Sequence, residues 1–456
     1  MRSSRRRVAG RLGRLMFSLM LLAPLAACSD GWFGDSWFGG NDDPPLPGKR
    51  VAVLAQERGL ARAPRTTEPV QLPAPEPNDA WPQNGGYSHH AMQHMQVGGG
   101  LSRAWSVGIG AGSTSRDRLL NGPVIGDGRV YTMDRKARVR AFDARTGRQL
   151  WETSLPDSKR DEDDGALLAG GLAFDNGRVF ATTGFARVVA LAADTGQEVW
   201  RTTVDAPMRA APAVNSGRVV VVTIENQTLA LAASDGRKLW THSGVPETAS
   251  ILGAPTPAID QGIVVIPYSS GEVFALRLDS GSEVWADSVT ALRRTDAAGT
   301  LFDIRANPVI DGNRLFIIGN SGLMVGMDLR SGNRMWQLRV AGTQEPWLAG
   351  DVLYLVSEDA ELAAISARSG QVIWITPLPR WKNPGSLADP LIWTGPVLAS
   401  DRLIVGSSDG YAYAVSPYDG RLLGRVDLPD PMASAPVIAG GTLYFLTTGG
   451  DLVAYR

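Results

Sequence analysis

The chain has 456 residues, 44% of them hydrophobic, with 45 Lys and Arg against 46 Asp and Glu. This near-neutral balance turns acidic once the arginine-rich N-terminus described next is removed, which argues against a nucleic-acid partner. The 52 Gly and 29 Pro give a turn-rich, all-β composition, and no long apolar stripe at helical spacing argues for a helical protein.

The N-terminus reads as a targeting segment. Arg2, Arg5, Arg6, Arg7, Arg11 and Arg14 form a cationic region, and the apolar run Leu15 to Leu25 is too short to span a bilayer as a mature helix. Leu25-Ala26-Ala27-Cys28 resembles the bacterial lipobox. That resemblance implies removal of residues 1–27 and acylation of Cys28, the single cysteine. Several acyl chains together make a durable anchor. Ser29, with Asp30 one place later, favours outer-membrane sorting under the enteric rule. The predicted mature chain has no second thiol for a disulfide, and loss of six arginines leaves it acidic by about seven charges.

Residues 28–80 are expected to be a flexible tether carrying the lipid. They are rich in Gly, Pro and Asp, and such a composition cannot bury a core. Within it, Arg50 to Leu54 could add somewhere as a short strand. The propeller region described below is expected over 81–456. Its lead-in, Trp81 to His94, holds His89, His90 and His94. His90 and His94 have i, i+4 spacing, but no carboxylate lies between them and no third ligand is evident, so a polar surface segment is the preferred reading over a metal site.

A fixed repeat dominates the rest. Pro123 and Trp151 are 28 residues apart, as are Leu172 and Trp200, Pro212 and Trp240, Pro257 and Trp285, Pro308 and Trp336, and Pro346 and Trp374. Pro396 to Gly424 keeps the offset without the Trp. Four residues before each of these end positions stands Gly147, Gly196, Gly236, Gly281, Gly332, Gly370 or Gly420, each preceded by Asp, Ser or Thr. Such pairs are turn chemistry. Between turns lie short β-branched or aromatic runs such as Val219 to Thr223, which read as strands. Each unit is therefore predicted to be three strands joined by tight turns, then a fourth bearing the Trp: a propeller blade. The last unit starts at Pro436 and stops at Arg456 after three strands. Leu101 to Val107, with Trp105 and no preceding strands, is the candidate for its fourth. The predicted fold is an all-β, eight-bladed propeller of four-stranded antiparallel blades, closed by pairing the Trp105 strand with the C-terminal blade. The phase-locked tryptophans are expected to pack between neighbouring blades.

Ala141-Phe-Asp143-Ala-Arg-Thr-Gly147-Arg-Gln-Leu-Trp151 resembles the docking motif of quinoprotein propellers. Quinone-dependent (PQQ) dehydrogenases are typically longer, and many place a vicinal Cys pair against the cofactor; this chain has one Cys. No nucleophile elbow, Walker loop or dinucleotide fingerprint is present. The combination of lipobox, tether and eight quinoprotein-type blades instead resembles the BamB family of outer-membrane assembly lipoproteins. Trp81-Pro-Gln-Asn-Gly-Gly and Ile251-Leu252-Gly253-Ala-Pro look like its alphaproteobacterial members. The resemblance implies a non-catalytic scaffold without cofactor or metal. It would be lipid-anchored on the periplasmic face of the outer membrane, docked on the periplasmic domains of BamA, and would help deliver unfolded outer-membrane proteins. The alternatives are a PQQ dehydrogenase-like enzyme or an unrelated envelope scaffold.

Connectors from each Trp strand to the next unit should cross one end of the ring. The long ones span 152–171, 241–256, 286–307 and 375–395. Several carry apolar residues: Ile251, Leu252, Leu301, Phe302, Ile304, Leu391, Ile392 and Trp393. These either fold back over the propeller or form a binding face. The family resemblance places the partner-binding positions at 250–253 and 301–305, hence Ile251, Leu252, Leu301, Phe302, Asp303, Ile304 and Arg305, with Arg305 standing where the enteric pattern has an acid.

Overall fold

A computed structural model of the chain describes residues 59–114, 118–119, 121–156, 170–247, 253–290, 303–383, 385 and 387–456. Cys28, Ile251, Leu252, Leu301 and Phe302 lie outside the described residues.

Eight four-stranded antiparallel sheets form the blades, and one two-stranded hairpin, Trp381–Asn383 with Ala388–Pro390, lies in the connector after the sixth. In the first blade the strands are Val124–Gly126, Arg129–Met133, Arg138–Asp143 and Gln149–Ser154, running from the inside outward. The inner three are apolar on both faces because a neighbouring blade stacks on each side; Arg218–Val222, for instance, is buried from its second residue onward. The fourth strand faces solvent and alternates, as in Gln149–Ser154.

Closure occurs where the repeat phase places it. Arg103–Gly108 pairs antiparallel with Asp451–Tyr455, and Trp105 stands opposite Ala454 just as Trp151 stands opposite Ala141. Ser102 and Arg456 exchange two backbone hydrogen bonds at its end. The eighth blade is thus three C-terminal strands and one N-terminal strand.

The tryptophans join successive blades. The indole N–H of Trp151, Trp200, Trp240, Trp285, Trp336 and Trp374 donates to a backbone carbonyl of the next blade over 2.7–3.0 Å. The ring then lies on that blade's last turn. Gly196, Gly236, Gly281, Gly332, Gly370 and Gly420 hold φ of +70 to +73° there, and a Cβ on any of them would stand 2.5–2.7 Å from the indole. Glycine is required twice over, by backbone conformation and by the ring pressed against it. Trp105 lies on Gly147 in the same way, but its indole N–H has no partner among the described residues; Tyr444 and Arg456 donate to the Ala144 carbonyl instead. The seventh blade's missing Trp follows from closure. Its fourth strand, Leu422–Asp427, faces an eighth blade whose last turn is replaced by Arg456 and the separate segment that enters at Leu101. Gly424 sits opposite Ala414 with nothing to dock on, and the whole strand is exposed.

Residues 78–97 form a strap that touches the innermost strand of every blade in turn. The Asn78 backbone accepts from Gly440 of blade eight. Trp81 exchanges two backbone bonds with Ile125 of blade one, and Pro82 accepts from Phe174 of blade two. The Gln83 amide brackets Val214 of blade three at 2.7 and 2.9 Å. Ser88 and His89 accept from Ile259 and Ile310 of blades four and five. Gln93 accepts from Gly350 of blade six, and Met95 from Ser400 of blade seven. Inner strands are sheet edges, and their unpaired groups need partners in the buried channel. The strap supplies them.

Two expectations change here. Residues 59–80, expected within a free tether, lie against the propeller: a 3-10 turn at Leu60–Arg62 packs a fully buried Leu60 beside blade six, and the segment after it exchanges backbone bonds with Val372. The histidine segment is buried rather than at the surface. His90 donates through Nδ1 to the Pro308 carbonyl and His94 to that of Pro73, while the Asp401 N–H donates to His94 Nε2. Both rings act as backbone latches.

Candidate functional site at the channel mouth

Connectors entering the inner strands surround one mouth of the channel and enclose about 900 Å³. The strap forms its floor through Trp81, Asn84 and Gly85, and the Trp81 ring stacks on Trp347 of blade six, centroids 6.2 Å apart. Backbone bonds to Ile125 hold the Trp81 main chain, and the Trp347 indole N–H donates to the Gln93 carbonyl.

Among the described residues, the charged ones lining the cavity are Arg118, Arg209, Arg305 and Glu345. Arg209 and Arg305 occupy the same repeat phase, three residues before Pro212 and Pro308. Both flank Asp303, which is buried. Burial lowers the proton affinity of both guanidinium groups, and the Asp303 charge partly restores it. Glu345 is half-buried on the same cavity wall. Desolvation pushes its carboxyl up to about 8, although the Asn307 amide donates to it at 2.6 Å and works in the opposite direction. Asn307 also accepts from the Thr256 N–H, tying the connectors of blades four and five together. Next to Glu345, across Gly85, lies His90, which burial lowers to about 4. Acid and base are therefore both uncharged at neutral pH.

The positions expected for partner binding divide. Ile304 is fully enclosed in the core shared by blades four and five, and Asp303 is 2% exposed. Neither side chain is accessible at the surface, because the connector folds inward over the propeller at this point. Arg305 is half-buried and faces the cavity. In the 375–395 connector Trp393 is also buried, donating to the Pro379 carbonyl, whereas Ile392 is 54% exposed on the rim. Folding back and exposure thus both occur, residue by residue. Sequence reasoning missed Arg118, Arg209 and Glu345. The usable signal was phase: Glu345 is the one charged residue directly preceding the start of a unit.

Glu345 and His90 predict the pH dependence of stability. Glu345 holds its proton in the folded state up to about 8, whereas an unfolded Glu releases it near 4.3. Its favourable contribution is full below about 4.3 and is lost as pH rises towards 8. His90 acts oppositely, losing stability as pH falls from about 6.5 to about 4. Glu345→Gln should therefore remove the decline in melting temperature between pH 5 and pH 8. An unchanged profile would show that Glu345 ionises freely.

The family model described as "Outer membrane protein assembly factor BamB" matches residues 102–159, 135–376 and 379–456. The chain is similar to the protein of that name from Escherichia coli (strain K12), 28% identical over 356 residues, 76% of this chain and 87% of that protein. A shorter alignment, 26% identical, covers 34% of this chain and 38% of the Marinobacter adhaerens protein. Among solved structures, BamB from Moraxella catarrhalis is similar at TM-score 0.66 and 19% identity, covering 78% of this chain and all of that one. A europium-containing methanol dehydrogenase is similar at TM-score 0.67 and 15% identity, covering 84% and 98%. Both structural likenesses concern the fold.

Proposed function

The chain belongs to the family of outer membrane protein assembly factor BamB, and from that membership we propose that it is a non-catalytic scaffold of the β-barrel assembly machinery. It docks on the periplasmic domains of BamA and assists insertion of β-barrel proteins into the outer membrane. Acylation of Cys28 holds it on the periplasmic face, and residues after the lipid lead to the strap. The observation that carries this reading is the family match across the propeller.

The docking surface is the connector face around residues 250–253 and 301–305. Leu252, Ile251, Leu301 and Phe302 supply apolar anchors and Arg305 supplies charge. Ile304 and Asp303, being enclosed, hold the connector in place from beneath. Buried apolar anchors carry most of the energy of an interface. Leu252→Asp combined with Leu301→Asp should therefore abolish co-purification with BamA while leaving the melting temperature nearly unchanged. A folded double variant that still co-purifies would move the docking site elsewhere. Addition of pyrroloquinoline quinone and calcium should yield no alcohol or aldose oxidation; turnover would favour the dehydrogenase reading.

A further inference from the structure

We propose that the channel mouth is a binding pocket for an acidic segment of a polypeptide, whose carboxylates are held by Arg118, Arg209 and Arg305. The full chain carries 45 cationic side chains against 46 acidic ones, yet among the described residues the cavity wall carries three cations and a single carboxyl group. That carboxyl, Glu345, keeps its proton at neutral pH, so it does not neutralise the wall. Asp303 supplies one negative charge, shared between Arg209 and Arg305, and Glu358 supplies a second that acts on Arg305, so two carboxylates stand against three guanidinium groups. The remaining positive charge faces an enclosure walled by protein, where a field is screened less than at an open surface.

The guanidinium groups come from three separate connectors and converge on one space. Arg305 is the most constrained. Its Nε is buried and has no hydrogen-bond partner among the described residues, and Nη2 and Nε lie over Gly253. A planar fork with an unused donor fits a carboxylate. The volume of about 900 Å³ lies near the upper end of small-ligand sites, and Ile392 on the rim is 54% exposed. A short extended peptide with acidic and apolar side chains uses both features; a small inorganic anion uses one. The inference depends on the assembly-factor reading only for which chain supplies the segment.

The test is fluorescence anisotropy of a labelled, end-blocked tetraglutamate peptide with the full-length protein. Binding should be seen at low salt and should weaken steeply as salt rises to about 0.2 M. Arg118 is exposed, so Arg118→Glu should fold normally; it should weaken binding at least about tenfold. Arg330→Gln, on an outer turn of blade five where the side chain meets Gln261, should leave binding unchanged. Tetralysine should not bind. Absence of binding at low salt, or equal binding by the Arg118 and Arg330 variants, would overturn the proposal. Displacement by citrate or phosphate at matched charge would overturn the peptide assignment in favour of a small anion. A variant that loses the peptide but keeps BamA co-purification separates this pocket from the docking surface.

Discussion

Trp240→Ala should destabilise the propeller by about 3–5 kcal/mol. The side chain is 8% exposed, packs in the core between blades three and four, and donates to the Leu278 carbonyl at 3.0 Å. Its removal leaves a cavity against Gly281 and an unsatisfied buried carbonyl. The reciprocal change, Gly281→Ala, should also destabilise, because the new Cβ would stand 2.7 Å from the indole at φ +72°. Trp105→Ala is the informative comparison. That ring closes the circle but is half-buried, and its N–H has no partner among the described residues, so its loss should cost clearly less. Denaturation midpoints for the three variants decide the matter; equal losses for Trp240→Ala and Trp105→Ala would refute the inter-blade hydrogen bond as a major contributor.

Ending the chain at Gly450 should prevent the ring from forming at all. The last strand, Asp451–Tyr455, lies between Thr442–Leu446 and Arg103–Gly108. Leu452, Val453 and Ala454 are fully buried. Without it, two strands lose their ladders and two open edges appear. The expected result is a protease-sensitive product with no cooperative melt. Removal of the outer hairpin, residues 381–390, should be tolerated by comparison, since most of its described residues are half-buried or exposed. A truncated chain that melts cooperatively would show that the eighth blade is dispensable.

The blades, their count and the closing strand were legible because they repeat. A Trp, a turn glycine and a strand alanine at constant offsets signal a structure whose contacts run from each unit to the next. The strap was not legible, since each of its contacts occurs once. Gln83 carries no periodic neighbour, and its partner Val214 is 131 residues away. Asn78 meets Ile438 across 360 residues. A polar, Gly-rich stretch with such partners reads locally as a surface segment. The docking positions show a related limit. Leu301 to Arg305 read in sequence as one presented loop of mixed apolar and charged residues, yet Asp303 and Ile304 turn inward while Arg305 faces the cavity. Apolarity alone does not distinguish a loop that folds back from one that is presented.

The strap also bears on the pace of folding. Its residues are among the first of the propeller to be made, and their partners extend to the last blade. Sequence separations of 131 to 360 residues add little to the loop-closure entropy, which grows only logarithmically with length. They weigh heavily on contact order, and chains dominated by distant pairings fold slowly. Until the eighth blade exists, the channel-facing edges of the inner strands have only part of their lining. The chain's earliest segment waits for its latest, so the time to the native state, more than its depth, is where this architecture is demanding.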